Sequence, residues 1–201
     1  MDLTTYGGLQ AAIAQWIDHD GLMRIIPSFI ALAEAQIARD VRNSKMVTSA
    51  DLTIDSRFTD LPDDHLGTIR LDCNGKRLVA RSTDDMIQMR DNDSASGVPC
   101  YFTQVGRQIE VFPSPDASYT ATLQYHARIP ALDGENDTNW LLTEAPDAYL
   151  YGALIHAAPY LTEDARTNTW AELYSAAIKN LNKSDRMGQW PSAISIPARG
   201  A

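Results

Sequence analysis

Two hydrophobic periods divide the chain. Residues 5–17, TYGGLQAAIAQWI, set Leu9, Ile13, Trp16 and Ile17 on one helical face, with Thr4 or Thr5 placed to cap its start. After the breaker DHDG, Phe29, Ala33, Ile37 and Val41 recur every fourth residue behind Pro27, which suits a first helical turn, and predict a second helix over 25–42. From Met46 the period drops to two. Met46, Thr48, Ala50, Leu52 and Ile54 alternate with Val47, Ser49, Asp51 and Thr53, the mark of a half-buried strand. Farther on, TIRLDC and KRLVAR flank Asn74-Gly75, the pair that best fills the two positive-φ positions of a type I′ hairpin turn. STDDMIQM predicts a capped helical turn from Ser82. CYFTQV and QIEVF form another hairpin around Gly106-Arg107. The last strand puts Tyr119, Ala121, Leu123, Tyr125, Ala127 and Ile129 on one face and Thr120, Thr122, Gln124, His126 and Arg128 on the other.

Helical spacing returns after the loop DGENDTN, over 145–160 and 163–184. Thr162 is placed to cap the second of these, with Glu163 and Asp164 in its first turn, and its apolar face is Trp170, Leu173, Tyr174, Ala177, Ile178 and Leu181. Gly188 and Pro191 end helical structure. The order is helices, strands, helices. It predicts an α+β fold, with N- and C-terminal helices forming one helical layer and a small antiparallel β-meander, residues 46–130, inserted between them. Residues 1–188 read as one domain and 189–201 as an extended C-terminal arm.

The composition narrows the function. The 201 residues are 44% hydrophobic and 21% charged, enough for a sizeable core, and no apolar run approaches the roughly 18 to 20 residues of a bilayer span. The N-terminus lacks the basic start and apolar core of a secretory signal, so the expected compartment is the cytoplasm in which the chain is made. A formal net charge of -9 opposes binding to nucleic acid by phosphate neutralisation. Cys73 and Cys100 have no metal-ligand spacing and read as reduced thiols.

Candidate chemistry is sparse. Asp133 to Asn139, with Glu144 beyond, echoes the oxygen spacing of a calcium loop, but Thr138 stands where the turn needs glycine and a strand precedes it, which favours a solvated loop. Asp63-Asp64-His65 could supply an acid/base pair, yet LPDDHLG has the composition of a turn. The histidines at 19, 65, 126 and 156 show no zinc spacing, and no nucleophile elbow, phosphate loop or dinucleotide fingerprint is present. These patterns predict no catalytic, cofactor-binding or metal-ligating residue.

NWLLTEAPDAYLYGALIHAAPYL, residues 139–161, stands apart. On a helical wheel Leu150, Leu154, Ala158 and Leu161 form one stripe, and Tyr149, Gly152, Ala153, His156 and Tyr160 lie opposite. Small residues here let another backbone come close. The helix reads as a central core element whose Tyr149, His156 and Tyr160 side could meet another subunit.

This block, preceded in order by YGGLQAAIAQWI, IPSFIALAEAQIARDVR, SGVPCYF and QIEVFPSPDASYTATLQYHARIPAL, resembles the head-tail adaptor (connector) proteins of tailed bacteriophages, over nearly the whole chain to about Arg186. The resemblance implies a structural virion protein at the head-tail interface, assembled in the host cytoplasm. It implies a ring of about twelve identical subunits under the portal protein, giving a docking platform for a tail nozzle or tail tube. It carries no catalytic motif or cofactor, and its signature positions Trp140, Pro146, Asp147, Tyr149, Tyr151, Gly152 and Trp170 are expected to shape the helical layer. An acidic ring would let DNA pass without specific binding. In the arm, Trp190, Ile194 and Ile196, stiffened by flanking prolines, suit an extended segment laid on a neighbour or the portal. Alternative readings are another head-completion or tail component, or a hydrolase whose site is scattered in sequence.

Overall fold

A computed structural model describes residues 2–17, 22–92, 96–161 and 166–188, with side chains placed up to residue 185. The helices are α1 (Tyr6–Ile17), α2 (Ile26–Asp40), α3 (Thr83–Asn92), α4 (Trp140–Glu144), α5 (Pro146–Ala157) and α6 (Thr167–Gly188). The strands are β1 (Val47–Ile54), β2 (Phe58–Asp60), β3 (His65–Cys73), β4 (Lys76–Arg77), β5 (Val79–Ala80), β6 (Tyr101–Val105), β7 (Gln108–Phe112) and β8 (Tyr119–Ala127). The fold is α+β, as the two periods predict, and the chain forms two units: Met1–Ser44 with Ile129–Ala201, and Lys45–Arg128.

In the helical unit α5 is the shared element, lying against α1, α2, α4 and α6. Ala148, Tyr149, Leu150, Gly152, Ala153, Leu154 and Ala157 are all buried, so both wheel stripes are covered along α5 as far as Ala153 and Leu154, and their C-terminal residues are not. A helix apolar on every side is stable only inside other helices. Gly152 sets how close they come: a Cβ there would lie 3.1 Å from the Ala33 Cβ of α2 and 3.4 Å from the Tyr174 ring of α6. Of the remaining α2 core residues, Phe29 and Ile37 lie on the predicted stripe, and Ile26 and Ile30 widen it. On α6, Trp170, Tyr174, Ala177, Ile178 and Leu181 are buried but Leu173 is exposed. Polar ties fix the helix ends: the Tyr174 hydroxyl donates to Asp40 at 2.8 Å, and Asp185 accepts from the Ser44 backbone N–H at 3.0 Å.

Two helical expectations need correction, and a third lies partly outside the described residues. Trp16 does not share the buried face of α1. Leu9, Ala12, Ile13 and Ile17 fill it, and Trp16, at its margin, lays its ring edge-to-face on Tyr151, 6.1 Å between centroids. The stretch before Pro146 is itself helical, because Asn139 caps α4 by accepting the Leu142 N–H at 2.8 Å. Helix α6 is described from Thr167 and runs to Gly188; the predicted Thr162 cap, with Glu163 and Asp164, lies outside the described residues.

The strands form two four-stranded sheets, ordered β1-β8-β3-β4 and β2-β7-β6-β5, rather than one meander. The Asn74-Gly75 turn forms as predicted, with φ of 49° and 74°. Its second arm splits. Lys76 and Arg77 pair back onto β3, whereas Val79 and Ala80 pair with β6, in parallel. Leu78 between them turns into the core, its N–H held by the Leu71 carbonyl at 2.8 Å. The inward residues of the two sheets, including Ile54, Leu71, Cys73, Phe102, Ile109, Val111 and Leu123, make one cluster. At its margin Glu110 of β7 is buried with two cations: Arg57 donates through Nε at 2.8 Å to Oε1, and Arg90 of α3 contacts the same oxygen.

Two stability outcomes follow from these contacts. Gly152→Val should lower the unfolding free energy of the helical unit by about 2 kcal/mol, because the β-branched side chain must displace both α2 and α6; Gly152→Ala should cost less, and denaturant titration ranks them. Glu110→Gln should destabilise the β unit by about 2 kcal/mol, since two guanidinium groups lose their common anion. A midpoint equal to wild type would show that the arginines are held by packing alone.

Candidate functional site

The places where chemistry or contact was expected divide between the units. In the β unit, Asp63, Asp64 and His65 lie side by side in sequence, but Asp63 turns to Arg107 whereas Asp64 and His65 share Tyr125. Asp63 is fully exposed and accepts from Arg107 at 2.5 Å. Asp64 accepts from the Tyr125 hydroxyl at 2.9 Å. The His65 ring stacks on Tyr125 and pairs through Nε2 with Thr68 Oγ1 at 2.9 Å. Burial holds the His65 imidazole below its ordinary value, opposed by the Asp64 charge, while burial and the bond to Asp64 raise the Tyr125 phenol. Asp63 thus braces the turn between β6 and β7, while Asp64 and His65 hold the Tyr125 side chain of β8 beside the start of β3.

The acidic loop before α4 is likewise committed to the scaffold. Asp133 Oδ1 accepts the N–H groups of Glu135 and Asn136 at 2.8 and 2.7 Å, and these bonds hold its carboxyl below the usual range. Asp137 accepts the Tyr6 N–H at 3.0 Å at the start of α1, where Thr5 Oγ1 takes the Gly8 N–H. Asn139 caps α4 and donates through Nδ2 to Pro130 and to the Tyr149 hydroxyl, each at 2.8 Å. Oxygens that could have faced a cation instead satisfy helix N-termini. Among the described residues no three His, Cys, Asp or Glu side chains gather as a metal-ligand set.

Along α6 a cleft of about 380 Å³ is walled by Glu144 and Asp147 on one side and by Asn180, Leu181 and Ser184 on the other. The Ser184 hydroxyl donates to the Leu181 carbonyl at 2.8 Å, and the walls contain no histidine or cysteine. The cleft lacks the paired nucleophile and base that acyl transfer needs.

The contact candidates separate along the α5 wheel. Tyr149 is 1% exposed, so its phenol, raised by burial, belongs to the core beside Asn139. Tyr160, in the 3-10 turn Ala158–Tyr160 after α5, is 55% exposed and sets its ring against Phe29 at a tilt of 55°, 5.3 Å between centroids. His156 lies between: partly exposed, yet with a sealed Nε2 that has no hydrogen-bond partner among the described residues. The structure thus brings Tyr160 to the surface and removes Tyr149 from it. Trp190, Ile194 and Ile196 lie outside the described residues. Trp16 and Leu32, exposed on α1 and α2, were missed as surface positions. The period assigned Trp16 to the core, whereas Leu32 falls outside the Phe29, Ala33, Ile37 stripe of α2, so the spacing itself was a signal for its exposure.

Burial first, and then the Arg39 charge, hold the His156 imidazole below 6.5. The folded chain therefore resists a proton that the unfolded chain accepts. This contribution to stability is complete above about pH 6.5 and is lost as pH falls through the lower folded value. His156→Asn should accordingly reduce the drop in melting temperature between about pH 7 and about pH 5. An unchanged drop would uncouple His156 from unfolding.

None of the described helices is long and apolar enough to cross a membrane. No curated protein matches the chain. A protein-family model described as SU10 adaptor protein matches residues 4–197.

Proposed function

The chain belongs to the SU10 adaptor protein family, phage head-tail adaptors, and from that premise we propose that it forms a ring beneath the portal protein and supplies the platform on which the tail docks. Membership implies a structural component of the virion with partners inside it. The finer reading is a closed ring of about twelve copies, joined head to tail, with the portal on one side and a tail nozzle or tail tube on the other. The family match carries it: residues 4–197 take in nearly all of both units and every described helix, so the likeness is not one borrowed motif.

The chemistry supports a non-enzymatic role. Carboxylates that could act as acids or bases are engaged in caps and ion pairs, and a net charge of -9 suits a channel through which DNA passes without adhering. In this reading Tyr160 and the exposed rim of His156 meet a neighbouring copy, and Tyr149 supports that surface from inside. Residues 189–201 act as an arm laid on a neighbour or on the portal, through Trp190, Ile194 and Ile196. Assembly takes place in the host cytoplasm.

Electron microscopy of the protein mixed with the portal of the same phage tests this reading. A closed ring under the portal is expected; assembly exclusively on tail tube would instead make the chain a tail component. A chain ending at Gly188 should melt like the full-length protein and fail to dock. Normal docking by that truncation would remove the arm from the interface.

A further inference from the structure

Strand β1 is an exposed edge without the usual protection. Its eight residues ladder to β8 without interruption, from Val47 opposite His126 to Ile54 opposite Tyr119, and no described strand lies on its other side. The other terminal strands are short: β2 has three residues, β4 two and β5 two. Proteins blunt long edges with lysine, proline, bulges or an inward charge. VTSADLTI has no lysine or proline, and its one charge, Asp51, accepts the Thr122 hydroxyl of β8 at 3.0 Å.

The burial pattern points the same way. Across the inner face of this sheet, Leu71 and Cys73 of β3 and Ala121 and Leu123 of β8 have no exposure, whereas Ala50 and Leu52 of β1 are partly buried. The apolar row ends one strand early. A strand added beside β1 would satisfy its free backbone groups and cover Ala50 and Leu52, provided it carries two apolar residues two positions apart and no charge.

Residues 192–196, SAISI, have that pattern. Ile194 and Ile196 share one side in an extended chain, Ser195 faces the other way, and Pro191 and Pro197 bracket the segment where a strand tolerates proline. We propose that residues 192–196 of one copy add as a strand to the β1 edge of a second copy, with Ile194 and Ile196 over Ala50 and Leu52. Donor and acceptor are different surfaces of the same chain. The contact is therefore heterologous and propagates from copy to copy, as ring closure requires. The inference rests on the ring reading for its biological setting and specifies which surfaces join.

Hydrogen exchange on the full-length chain tests it, in dilute solution, in concentrated solution and bound to its portal, with micrographs of the same samples. In wild type, amides of residues 47–54 should exchange roughly tenfold or more slowly when copies are brought together. In Ile194→Asp/Ile196→Asp that slowing should be absent while the β8 amides remain as protected as in wild type. Exchange of residues 47–54 that is the same in all three wild-type samples overturns the proposal. Slowing that survives in the double variant also overturns it. So does protection already complete at the lowest concentration, which would put the segment on its own chain. A closed ring with unchanged β1 exchange rejects the strand addition and leaves the ring standing. Protected β1 without a ring does the reverse.

Discussion

The helical unit depends on how near the backbone of α5 can come to two other helices at once. At Gly152 there is no Cβ, and the Ala33 methyl of α2 and the Tyr174 ring of α6 occupy the space that one would need. Segments from opposite ends of the sequence are therefore packed on the same turn of one central helix. Close approach has a consequence for polar groups, since a central helix leaves few positions for water to reach. The Tyr149 hydroxyl accepts from Asn139 Nδ2, which also donates to the Pro130 carbonyl, while Asn139 Oδ1 caps α4. One asparagine thus fixes the entry to the spine and satisfies a buried phenol within it.

Several acidic residues of this protein serve its scaffold. Asp137 sits at the start of α1, Asp40 receives the Tyr174 hydroxyl, Asp185 holds the chain beyond α2, and Glu110 joins Arg57 to Arg90. These carboxylates are tied to distant segments, where they fix the backbone. Catalytic acids and bases face a shared cavity instead. For a structural component of a virion such ties are a fitting use of charge.

The two units manage their margins differently. The helical unit closes its core on all sides of α5 and exposes isolated aromatics such as Tyr160 and Trp16, each leaning on another ring. The β unit covers three of its four sheet edges by brevity and leaves β1 long and regular. A row of unpaired backbone groups is a directional feature, which an isolated exposed ring is not. It specifies a register as well as an area.

Periodicity by itself determined the element types, the two helical blocks around a strand insertion, the Asn74-Gly75 turn and the inward faces of β1 and β8, because each follows from local sterics and a repeat that can be counted. The core character of residues 145–160 was legible for the same reason. Tertiary structure decided the rest. The splitting of residues 76–80 between two sheets depends on Leu78 finding the core beneath Leu71, a contact that no local pattern records. The separation of Tyr149 from Tyr160 depends on which side of α5 is roofed by Asn139 and its loop. Glu110 reads as an ordinary polar residue of a hairpin until Arg57 and Arg90 converge on it from other segments. A repeat along the chain specifies which way side chains point, but burial and pairing are properties of what arrives opposite them, and that is set by segments distant in sequence.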